Sequence, residues 1–148
     1  MLRTIGGVVI GYVVLALFVF ATFSLTYLLL GADGAFLPGS YTVSTLWLLI
    51  SFVLGLIAAV LGGYVCASIA KNSRAPIILA GIVLVLGLLL AIPVLTAPGE
   101  AGPQARDGNV GNLEAMQKAK QPGWVAIVNP IVGAIGIMIG ARLKKPRR

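Results

Sequence analysis

A chain of 148 residues that is 59% hydrophobic and only 10% charged is not an ordinary soluble domain, in which about a quarter of residues are charged. Its formal net charge of +7 would suggest nucleic acid in a soluble protein. Here the basic residues flank long apolar runs, which points to lipid headgroups and away from nucleic acid. The absence of histidine and the single cysteine, Cys66, exclude imidazole-held haem, histidine zinc sites, histidine general bases and Cys-x-x-Cys redox pairs, so no metal or cofactor is expected.

A membrane-spanning helix needs about 20 mostly apolar residues. The first such run, Ile5–Leu30, follows Arg3. It is longer than the roughly 7–15 residues of a signal-peptide core, and no small-x-small cleavage site follows Leu30, so it reads as a retained span. Gly7 and Gly11 form a Gly-x-x-x-Gly pair, which suits close helix contact. Tyr12, Thr22, Ser24, Thr26 and Tyr27 supply hydroxyls, which are expected to bond the carbonyls of their own helix. The connection "GADGAFLPGSY" carries a Pro38-Gly39 turn signal.

The second run, Ser44–Ala70, holds two neighbouring rows of small residues. One row is Ser51, Gly55, Ala59, Gly63 and Ala67; the other is Ala58, Gly62, Cys66 and Ala70. Lipid tails are as apolar as leucine, so helices in a membrane gain little by hiding apolar side chains from them. Close van der Waals contact drives association instead, and small residues permit it. The rows predict a central helix of the bundle, or a face that meets another subunit. In that setting Cys66 acts as one more small apolar residue.

"KNSR" is too short to join anything but antiparallel neighbours. It leads to the third run, Ala75–Leu95, in which Gly87 and Ala91 share a face and Pro93 predicts a bend. The polar segment 97–123 is rich in Gly and Pro at first. Asn112 then offers an N-cap for a short helix, Leu113–Lys120, halted by Pro122. Leu113 and Met116 would lie on the membrane surface or against the bundle.

The fourth run, Trp124–Leu143, contains Asn129-Pro130. Pro130 has no N–H to give the Ala126 carbonyl, so a kink is expected there, with the Asn129 amide satisfying freed backbone or a neighbouring helix. A polar point on a conduction path is the functional alternative. Gly133, Gly136 and Gly140 line one side and are expected to pack against another helix. The tail "ARLKKPRR" brings Arg142, Lys144, Lys145, Arg147 and Arg148 to the membrane surface, where each cation is worth about 1 kcal/mol against anionic headgroups.

Arg3, Lys71, Arg74 and the five tail cations fall at one end of these spans. Arg106, Lys118, Lys120 and all the acids, Asp33, Glu100, Asp107 and Glu114, fall at the other. The positive-inside rule then puts both termini in the cytoplasm, and an even number of spans agrees. The expected fold is an all-α membrane protein: four transmembrane helices in one antiparallel bundle, set in a plasma membrane such as the bacterial inner membrane.

No acidic or basic residue lies within a span away from its ends, unlike the usual ion-coupled transporter. Small multidrug transporters, which also have four helices, carry a carboxylate in the first, and this first span has none. Enzymatic catalysis is not expected. The chain reads as a non-catalytic accessory or structural subunit, forming a homo- or hetero-oligomer through its Gly/Ala faces. The alternative is a passive pore or carrier for an uncharged or lipid-like substrate.

Overall fold

The computed structural model describes residues 1–96, 105–106 and 108–144. Five helices account for most of them: α1 (Leu2–Ala35), α2 (Thr45–Ala70), α3 (Arg74–Thr96), α4 (Asn112–Lys118) and α5 (Gly123–Leu143). All but α4 are long and apolar enough to cross a membrane. Leucines, isoleucines and valines cover the outside of these four helices, as expected where the surroundings are lipid.

The first helix outruns its apolar core at both ends. Its regular path is interrupted at Gly31, at φ 66° and ψ −179°, a conformation that only glycine adopts without strain. The interruption turns the chain into the 36–44 connection. There Ser40 N–H donates to the Leu37 carbonyl at 3.2 Å around Gly39 at φ 66°, a turn of the type that Pro38-Gly39 predicts. Ser44 caps α2 by accepting from Trp47 N–H at 3.1 Å, and its own hydroxyl donates back to the Gly34 carbonyl at 2.6 Å. Asn72 caps α3: its carbonyl oxygen accepts from the N–H of Arg74 and Ala75, while its amide donates to Thr4 on α1.

One end of the bundle carries Arg3, Lys71, Arg74, Arg142 and Lys144 and is tightly packed. Leu79 and Ile137 are its largest fully enclosed side chains. The opposite end carries a polar cap made of the 36–44 connection, residues 105–106 and 108–111, and α4. Lys120 threads between the backbones of Tyr41 and Val43 through two hydrogen bonds, at 2.8 and 3.0 Å, and closes the cap onto the connection.

The short helix differs from its expected limits. Its N-cap is Gly111 rather than Asn112, because the Asn112 carboxamide is engaged by Ser24 on α1 at 2.9 Å. It ends at Lys118, since Lys120 pairs in extended form with the connection. Both α3 and α5 continue through their internal prolines, Pro93 and Pro130.

Candidate functional site

The small-residue rows of α2 meet different partners. At the basic end, a Cβ on Gly7 of α1 would stand 2.8 Å from both the Ala70 Cβ and the Cys66 carbonyl oxygen. One on Gly11 would stand 2.8 Å from the Cys66 Cβ and the Gly62 carbonyl. The row Ala58, Gly62, Cys66 and Ala70, buried throughout, therefore serves α1. The row containing Ala59 and Gly63 serves α5. A Cβ on Gly63 would overlap the Ile137 carbonyl, one on Gly140 the Val60 carbonyl, and one on Gly136 would lie 2.7 Å from the Ala59 Cβ. The recurring juxtaposition of glycine Cα with a facing carbonyl suits Cα–H···O contacts between helices. Ala67, one turn beyond Gly63, is half-buried.

The same row changes character towards the cap. A Cβ on Gly55 would meet nothing within 4 Å. Gly55 and Ser51 line a cavity of about 350 Å³ bounded by four helices. Leu15, Val19 and Phe23 of α1 form one wall, and Val83, Gly87, Leu90, Ala91 and Val94 of α3 another; α2 and α5 complete it. A second cavity of about 260 Å³ lies under the cap, between α4 (Asn112, Ala115, Met116) and the aromatic group Phe23, Tyr27, Phe36 and Trp47. The two share Phe23, Ser51, Phe52, Gln121 and Asn129, and so adjoin.

Asn129 lies at this junction. Its carboxamide is exposed and bonds to no described residue; it neither satisfies freed backbone nor reaches another helix. The reason is its neighbour. Pro130 is buried, and its ring fills the space a side chain on Gly87 would need, so the proline faces α3 and Asn129 faces the cavity. Ser51 and Gln121 likewise bond to no described residue. Gly133 borders the same cavity beside Val83.

The hydroxyls of α1 divide. Thr22 and Thr26 donate to carbonyls four residues back, at 2.7 Å each. Tyr27 instead donates to the Val110 carbonyl at 2.6 Å, and Ser24 accepts from Asn112, so both hold the cap. Arg106, 4% exposed in its side chain, pairs with Asp33 and donates to the Gly108 carbonyl. No sequence pattern marks this buried cation. Tyr41 donates to Glu114 at 2.9 Å, and Lys118 pairs with the same carboxylate from the next turn of α4. Those two donors, Lys118 first, hold the Glu114 carboxyl below its usual range, while burial and the Glu114 contact raise the Tyr41 phenol.

Arg142 and Lys144 are exposed at the basic end, with the Lys144 ammonium 5.5 Å from the Tyr64 ring centre. Lys145, Arg147 and Arg148 lie outside the described residues. No group of three metal-ligating side chains occurs among the described residues. The chain matches no protein-family model, no curated protein and no solved structure.

Proposed function

We propose that this multi-pass membrane protein is a non-catalytic binding protein or carrier for an uncharged or lipid-like molecule, held in the cavities near the cap. The unbonded Asn129 carboxamide, opening beside Ser51 and Gln121 into a space with mostly apolar walls, carries this reading. A polar group at membrane depth without a partner is costly, and a ligand would supply the missing hydrogen bonds. Small-molecule sites have this makeup: apolar walls and a few convergent polar groups.

The accessory-subunit reading has the Gly/Ala faces pack either within the chain or against a larger complex. Gly7, Gly11, Gly62, Gly63, Gly136 and Gly140 all meet atoms of this chain, which removes the main argument for a partner at those faces. A continuous pore is disfavoured by the closed packing around Leu79 and Ile137.

The topology that goes with this reading is an antiparallel bundle with both termini in the cytoplasm of a cell whose plasma membrane holds the chain. Support comes from the collection of Arg3, Lys71, Arg74, Arg142 and Lys144 at one end. On this topology the cap and cavities face outward, and the basic end meets anionic headgroups.

Fluorescence tests the binding reading directly, because Trp47 lines the cavity under the cap. In reconstituted vesicles, a brominated uncharged lipid should quench Trp47 saturably, in a Trp124→Phe background. Quenching that rises without saturation, and equally in a Gly55→Phe variant, would sink the proposal.

A further inference from the structure

We infer that the ligand is a neutral single-chain amphiphile of one leaflet, with a head that both donates and accepts hydrogen bonds. This rests on the binding reading above and specifies the class of molecule bound. Three observations select it.

The first is charge. Among the described residues, no Asp, Glu, Lys or Arg lines either cavity. A phosphate or ammonium head placed there would be desolvated without a counter-charge, which is strongly unfavourable. The second is the chemistry of the open groups. Asn129 and Gln121 each present an acceptor oxygen and an NH₂ with two donors, and Ser51 adds a hydroxyl. Free donors and acceptors side by side match a hydroxyl or amide head, which needs both; an anion would use only the donors.

The third is depth. The α3 wall runs from Val83 to Val94, a rise of about 16 Å at 1.5 Å per residue. That is roughly half of a 30 Å hydrocarbon layer. Below Val83 the space ends, because Leu79 of α3 reaches α1 beside Gly11. A chain lying along this wall therefore stays within one leaflet and meets the Asn129 carboxamide partway along it, where the neighbouring Pro130 packs on Gly87, with the cap above.

The test uses the full chain in phosphatidylcholine vesicles and three photoreactive probes with the same alkyl tail. One is a monoacylglycerol, one a monoalkyl phosphate and one an alkyltrimethylammonium. Crosslinked residues are mapped by mass spectrometry. The monoacylglycerol probe should mark cavity-wall residues such as Phe52 and Val83 and exceed both charged probes. Asn129→Leu should lower its labelling about tenfold, the scale of one or two lost hydrogen bonds. Gly55→Phe, placed where there is room for a side chain, should block wall labelling while leaving thermal unfolding unchanged. Charged probes that mark the walls as well as the neutral one would overturn the neutral class and leave the binding reading standing. Wall labelling by no probe, or labelling insensitive to Gly55→Phe, would overturn the binding reading itself.

Discussion

The basic half of the bundle and the cap half are made from the same small residues but use them in opposite ways. Near the basic end, Gly63 and Gly140 let α2 and α5 approach until a methyl group would strike backbone. Two turns of the same helix away from Gly63, Gly55 leaves empty space beside the unbonded Asn129. Close approach at one end anchors the helices. The missing side chain at the other keeps a cavity open between them. A glycine row thus describes where helices could touch, and only the neighbour decides whether they do.

The largest effect should come from filling the basic-end contacts. Gly63→Ala and Gly140→Ala each add one methyl where a carbonyl already stands. A backbone cannot yield as a flexible side chain does, so each should cost about 2–3 kcal/mol, at the upper end of overpacking. Unfolding in mixed detergent micelles would measure it. Loss of less than about 0.5 kcal/mol, the scale of an ordinary surface change, would mean that the two halves are equally loose.

Next in size is the seam between bundle and cap. Tyr27→Phe removes the donor to the Val110 carbonyl and leaves that acceptor unpaired, at about 1 kcal/mol. Because the contact ties α1 to the chain just before α4, the loss should appear as faster amide exchange in residues 110–118 with the basic end unchanged. Uniform acceleration across the molecule would erase the distinction between an anchored end and a separately held cap.

A smaller effect should follow pH at the Tyr41–Glu114–Lys118 group. The Glu114 carboxyl is held below its usual range, so its contacts are present at pH above the ordinary glutamate value and are lost as pH falls through the lowered one. Lys118 is held above its usual range, chiefly by the bond to Glu114, so its share is complete below the ordinary lysine value and fades as pH climbs through the raised one. Cap protection should thus form a plateau across neutral pH and fall on both sides. The Glu114 and Lys118 side chains are half-exposed, so added salt should flatten the plateau. Exchange of the α4 amides would record this, and Glu114→Gln should remove the acid limb.

Much of the bundle was legible in the sequence because span length and charge placement follow directly from the thickness and dielectric of a membrane. The four long helices fall close to the expected 5–30, 44–70, 75–95 and 124–143. The cap was far less so. Asn112 looks like a helix cap because it precedes an apolar face, yet Ser24, 88 residues away in sequence, takes its amide. Arg106 reads as a surface cation in a Gly/Pro-rich stretch; burial against Asp33 depends on chain reversal that no local pattern encodes. Asn129 was visible as a polar residue beside a proline, but its direction depends on Gly87 of another helix admitting the Pro130 ring. Local periodicity reports faces, and these outcomes depend on pairs of faces.

The smallest predicted change carries the comparison furthest. Gly55→Ala adds the same methyl as Gly63→Ala, in the same row of the same helix, two turns apart. Nothing stands within 4 Å of the new group, so there is no packing cost. Alanine also favours helix over glycine by about 0.5–1 kcal/mol in water. The variant should therefore unfold at the same denaturant level as the parent or slightly above it. If Gly55→Ala instead cost as much as Gly63→Ala, α2 would be gripped along its whole length. The cavity would then close in the membrane, and Asn129 would have to find a partner within the chain. Matched behaviour of the two alanines is thus incompatible with a ligand site near the cap. A gap of about 2 kcal/mol between them is what an anchored half and an open half require.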